Sequence, residues 1–149
     1  MRGDGWLAHK EGPEASVRQL QGTLALWARI FASAHGEAGF HLDGTLISAG
    51  ELDRMAQSLR PHLESGDGDE EHEILEEFLG GAGAYLGQVI LEHFGGTWVS
   101  DASGQPQIVG LGETVVRPFD WMAERLQGEG VALLWRMARL NQRLRRGTD

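Results

Sequence analysis

The sequence predicts an α+β fold: a central glycine-bearing helix packed with flanking helices and a small three-stranded antiparallel meander. Three observations carry this. Residues 70–94 keep one unbroken helical period of apolar residues. Residues 97–116 change to short β-prone runs broken by Gly, Asp, Ser and Pro. Helix-period segments stand on both sides of those runs, and the connections between the runs are too short for parallel crossovers.

The 149 residues read as a loose N-terminal segment, 1–12, in which Trp6 is the one residue expected to be pinned, and a single domain over 13–149. A chain of this size buries about 68–70% of the surface it exposes when unfolded. With 41% hydrophobic residues, five tryptophans and no cysteine, it can form a core, but without disulfides, thiolate zinc ligands or a cysteine nucleophile.

Pro13 suits a first helical turn. Val17, Leu20, Leu24, Trp27, Phe31 and Ala34 then define an amphipathic helix of about 14–35 that Gly36 ends. Residues 37–50 are non-helical. Ser48 stands three residues before Glu51, a capping-box spacing for a helix starting near 49. Leu52, Met55, Ala56 and Leu59 form its apolar face and Pro61 marks its limit. Residues 62–69 read as an acidic loop from which Asp67 or Asp69 caps the next helix.

That central helix carries Ile74, Leu75, Phe78, Leu79, Ala82, Leu86, Val89, Ile90 and Phe94 on one stripe. Gly80, Gly83 and Gly87 form a second strip. Each glycine costs a helix interior roughly 0.8–1.0 kcal/mol relative to alanine, and close approach of another element's backbone is the expected compensation. Gly95-Gly96 stop the helix. Strands follow at 97–100, 107–109 and 113–116, then a helix of about 118–127 opened by Pro118 and closed by Gly128. The last helix, about 130–145, is expected to turn Val131, Leu134, Met137, Ala138 and either Leu140 or Trp135 inward, with Arg136, Arg139, Arg143 and Arg145 outside.

The net charge of −9 is segregated. Up to residue 116 there are six Lys/Arg against 18 Asp/Glu, and beyond it seven against four. An acidic body opposes phosphate backbones, so no nucleic-acid partner is expected. No apolar run suits a secretory h-region, and none reaches the roughly 18–20 residues of a membrane span. The expected location is cytoplasmic, with no membrane partner.

Catalytic patterns fail on inspection. His41-Leu42-Asp43-Gly44-Thr45-Leu46 approaches the DxDGTL string of haloacid-dehalogenase-like phosphatases, but His41 stands where the nucleophilic aspartate belongs. Asp67-Gly68-Asp69-Glu70-Glu71 begins like a calcium loop, yet His72 replaces its sixth-position glycine and Phe78 its twelfth-position glutamate. His72-Glu73 lacks the second histidine of a zinc HExxH helix. The Gly81–Gly87 spacing is GxGxxxG inside a helix, unlike a dinucleotide loop. No metal site and no cofactor is expected.

Gly83-Ala84-Tyr85-Leu86-Gly87-Gln88-Val89, Gly95-Gly96-Thr97-Trp98 and Pro118-Phe119 ahead of a helix together resemble an uncharacterised bacterial domain family, a domain of unknown function. Its pattern runs GaYlGEv, GGxW and PF. Leu42-Asp43, Ser48 and Leu52-Asp53 are similar to its upstream segment, and the resemblance covers about residues 40–145. Gln88 departs from it, since the family more often has glutamate there. The resemblance implies a compact bacterial α+β domain and carries over no activity.

Two functional expectations result. The first is a non-catalytic protein-interaction domain of a bacterial cytoplasmic protein, adaptor- or immunity-like. Its acidic surface at Glu70, Glu71, Glu73 and Glu77 suits a basic protein partner. The second is a small-ligand or metal-dependent enzyme with a pocket between sheet and central helix, lined by Asp43, Tyr85, Gln88 and Trp98. Self-association through the glycine strip or the arginine-bearing last helix is a further option.

Overall fold

A computed structural model describes the backbone of residues 13–65 and 69–147 and the side chains of 16–61 and 71–146. The expectations for residues 1–12, for Trp6 and for an Asp67 or Asp69 cap lie outside these described residues. Among the described residues the fold is α+β: five helices with a three-stranded antiparallel sheet packed against helices. The order is α1 (Pro13–Gly36), a 3-10 turn (Leu46–Ser48), α2 (Ala49–Ser65), α3 (Asp69–Phe94), β1 (Thr97–Ser100), β2 (Pro106–Leu111), β3 (Thr114–Val116), α4 (Pro118–Leu126) and α5 (Leu133–Gly147).

Helix α3 is the centre. Its Leu75, Phe78, Ala82, Leu86, Val89 and Ile90 are buried, as are Ala84 and Tyr85 off that stripe. Burial on more than one side is what a helix with neighbours all round requires. Its glycines are contact points, in a way the spacing alone did not specify. A Cβ at Gly81 would overlap the Phe31 ring of α1, at Gly83 the Phe119 ring of α4, and at Gly87 the Trp98 ring of β1. The partners are aromatic rings rather than backbone, and Gly80 is not among the contacts, since a Cβ there would meet nothing within 4 Å. A ring face presents more apolar area than a backbone crossing, so each missing methyl group is exchanged for a buried aromatic surface.

The sheet has the order β1-β2-β3. Trp98 pairs with Ile108, and Ile108 with Val116. All three are fully buried and form one cross-strand row under the helices, while Val115 faces out at 49% exposure. Gly96, at φ +96°, lets the chain leave α3 where a Cβ would strike Ile108 and the Val109 carbonyl. Asp101 closes the β1–β2 connection. Its Oδ1 accepts from Ser103 N, Ser103 Oγ and Gln105 N, and its Oδ2 pairs with Arg117 at 3.0 Å. These bonds, those from Ser103 and Gln105 foremost, hold its carboxyl at a pKa of about 2.

Several local expectations are corrected. Pro61 does not end α2, which continues to Ser65, so the segment read as a 62–69 loop is helical over 62–65. An interior proline costs about 3 kcal/mol, and tertiary anchoring offsets it here. Arg60 Nη2, one residue before, donates to the Arg125 carbonyl at 2.8 Å, and buried Met55 and Ala56 hold the preceding turn. The capping box does not form. Glu51 accepts from the His41 amide at 3.0 Å, and Thr45 Oγ1 takes the Ser48 amide instead.

Helix α5 begins at Leu133, and its inward face is Leu133, Met137 and Leu140. Val131 (43%), Leu134 (41%) and Trp135 (51%) are exposed, as is Ala138. Arg136, expected outside, is drawn in against Glu124 at 2.6 Å and over the Trp121 ring. The cause is the start of the helix. Asp53 of α2 accepts the Leu133 amide at 2.8 Å and pairs with Arg125 at 2.6 Å, and this N-terminal cap sets the rotation of everything after it.

Candidate functional site

Of the four residues expected to line a sheet–helix pocket, Tyr85, Gln88 and Trp98 are hydrogen-bonded at the core, and Asp43 stands exposed on the loop before the 3-10 turn. Trp98 Nε1 donates to Gln88 Oε1 at 3.0 Å. Trp98 itself is fully buried, 6.0 Å from the Phe119 centroid. Tyr85 sits where the 43–48 loop meets α3. Its hydroxyl accepts the Gly44 amide at 2.9 Å and contacts Ser48 Oγ at 2.7 Å. The Ser48 hydroxyl donates to the Thr45 carbonyl at 2.5 Å, so the phenol must donate to Ser48. Every polar atom in that chain has a partner. Burial pushes the Tyr85 phenol above its ordinary pKa. Asp43 is exposed and accepts from Thr45 N and Oγ1, which holds its carboxyl below the usual range. Gly83 and Gly87 of α3, Phe119 of α4 and Trp98 of β1 meet at one packing node.

The chain opens elsewhere. A cavity of about 750 Å³ lies between α1, α2 and the first half of α3. Its wall is apolar, with Trp27, Ile30 and Phe31 from α1, Met55 and Leu59 from α2, and Ile74 and Phe78 from α3. Glu76 and Glu77 stand in its lining, and Glu73 is exposed one turn earlier on the same helix. Trp27 is 46% exposed, Ile30 58% and Ile74 45%, so the groove is open to a macromolecular surface. His35 also lines it, its ring tilted 48° to that of Phe31 at a centroid distance of 4.5 Å, and burial lowers its pKa. Arg54, paired with Glu51, lies over the ring of the lining residue Phe40.

Of the acidic residues singled out from sequence, Glu73 and Glu77 are exposed one turn apart and Glu71 is partly exposed. The side chain of Glu70 lies outside the described residues. The expected acidic surface therefore borders an apolar groove that the sequence reading did not include. A signal for the groove was present. Leu24, Leu26, Trp27, Ile30 and Phe31 span a wider arc of α1 than one buried stripe needs, and the surplus is what faces solvent. Trp27 and Ile74, which fit the apolar period of their helices, are 46% and 45% exposed and stand on the groove instead of in the core.

Among the described residues no cluster of three or more His, Asp or Glu is placed to hold a metal ion. None of the described helices is long and apolar enough to cross a membrane. Comparison with known proteins finds no matching family, no matching curated sequence and no matching solved structure.

Proposed function

We propose that the chain is a non-catalytic protein-interaction domain of a bacterial cytoplasmic protein, adaptor- or immunity-like, that binds a basic protein partner through the acidic face of α3. The observation supporting this is the juxtaposition of exposed Glu73, Glu76 and Glu77 with the exposed apolar side chains Trp27, Ile30 and Ile74. Desolvated aromatic and aliphatic anchors supply most of the affinity at protein interfaces, while rim charges set approach rate and selectivity. An acidic rim on an apolar groove fits a partner that is cationic at its edge and apolar at its centre.

The test is to capture the partner from source cells and to compare association kinetics of the wild type and Glu73→Lys/Glu77→Lys at about 0.05 and 0.3 M salt. The variant is expected to associate at least about tenfold more slowly at low salt, with little remaining salt dependence. Unchanged kinetics at both salt concentrations would overturn the reading.

A further inference from the structure

The acidic groove has a counterpart of opposite character on the same molecule. Helix α5 buries Leu133, Met137 and Leu140 and leaves Leu134 and Trp135 exposed. Arg139 lies 4.8 Å from the Trp135 ring centroid, and Arg143 and Arg146 are exposed further along the helix. This is an apolar centre with a guanidinium edge. It matches the groove, where Trp27, Ile30 and Ile74 form the apolar centre and Glu73, Glu76 and Glu77 the carboxylate edge. Guanidinium groups form two-pronged bonds with carboxylates and stack on aromatic faces, so arginine suits a surface of this composition better than lysine.

The two surfaces do not meet within one chain. Asp53 pins the first turn of α5 to α2, and its buried residues hold one face inward, so Leu134 and Trp135 point to solvent. We infer that the groove of one copy receives the exposed face of α5 from a second copy. This rests on reading the groove as a protein-binding surface, and it names the chain itself as one occupant. A reciprocal pair, each groove holding the other copy's helix, makes the contact twice and closes on a two-fold axis, the commonest arrangement of homo-oligomers. The net charge of −9 opposes the approach of two copies at long range. The attraction therefore acts at contact, where the segregated charges face each other within about 8–10 Å, the Debye length near physiological salt.

The experiment is sedimentation equilibrium over a wide range of protein concentration, with two double variants at exposed positions whose folding is checked by circular dichroism. Wild type should rise from the 16.3 kDa monomer towards twice that mass. Glu73→Lys/Glu77→Lys moves the net charge from −9 to about −5 and so weakens the long-range repulsion, yet it should lower the association constant about tenfold. Arg139→Glu/Arg143→Glu should lower it similarly. An equimolar mixture of the two should recover dimer, because the reversed groove now fits the reversed helix. A wild type that stays monomeric at every concentration overturns the inference, and so does a dimer that neither variant weakens or a mixture that fails to recover. A monomeric wild type that still binds a basic partner in a Glu73- and Glu77-dependent way removes the self-docking and leaves the partner reading standing.

Discussion

The Tyr85 hydroxyl joins a loop to a helix with two hydrogen bonds running in opposite senses, accepting from Gly44 N and donating to Ser48 Oγ. Ser48 is 2% exposed and donates its own hydroxyl hydrogen bond to the Thr45 carbonyl. A serine and a tyrosine this close invite a catalytic reading, but the Ser48 hydroxyl is committed to the Thr45 carbonyl and burial raises the phenol's pKa. Their arrangement is that of a structural clamp. Tyr85→Phe should therefore remove the acceptor of the part-buried Gly44 amide and cost roughly 0.5–1.5 kcal/mol, the net worth of one hydrogen bond. Urea unfolding of the variant measures the loss. Hydrogen exchange should show faster exchange at the 44–48 amides than in the β-hairpin.

At the scale of elements, α3 makes a prediction with two signs. Gly80→Ala adds a methyl group into open space and should stabilise by about 0.5–1 kcal/mol through helix propensity and a less flexible unfolded chain. Gly87→Ala drives a methyl group into the Trp98 ring and should destabilise by about 1–3 kcal/mol despite the same propensity gain. Thermal melts of both variants check the pair. Helical periodicity made α3 and the flanking helices legible in the sequence, and β-prone runs between turn residues did so for the three strands, because the spacing of apolar residues reports which faces are covered. It did not report what covers them. Whether a ring or a backbone lies over Gly83 depends on residues such as Phe119, 36 positions away in the chain. The rotation of α5 was illegible for a similar reason. Its Leu133–Met137–Leu140 face is selected over Leu134–Trp135–Ala138 by the Asp53 cap, and a carboxylate 80 residues earlier leaves no trace in the local pattern. The acidic half of the candidate surface was visible in the glutamates of 71–77. The apolar half was not, since Trp27 and Ile74 fit equally well on a buried stripe.

For the whole molecule, acid tests the groove region. Burial holds the His35 imidazole below its ordinary pKa, so as pH falls the folded chain takes up fewer protons at this site than the unfolded chain does. By linkage, its contribution to stability is present above about pH 6.5, the unfolded value, and is lost as pH falls through the folded value. Melting temperature should therefore decline from near pH 6.5 downwards, and His35→Gln should flatten that limb while leaving the neutral plateau in place. A limb of unchanged slope in the variant would assign the decline to other groups. Glu76 and Glu77 line the same cavity, and they set the charge against which a newly protonated His35 would stand.

Three rings from three different elements rest on Gly81, Gly83 and Gly87 of α3, and this restricts how the core can rearrange. Sliding α3 by a single residue would bring side chains such as Ala82, Ala84 and Leu86 beneath rings shaped for bare backbone. Small axial drift is thereby forbidden, and α3 has one seating or none. Variation at these sites should accordingly travel in pairs, with a methyl group gained on the helix matched by a smaller ring opposite.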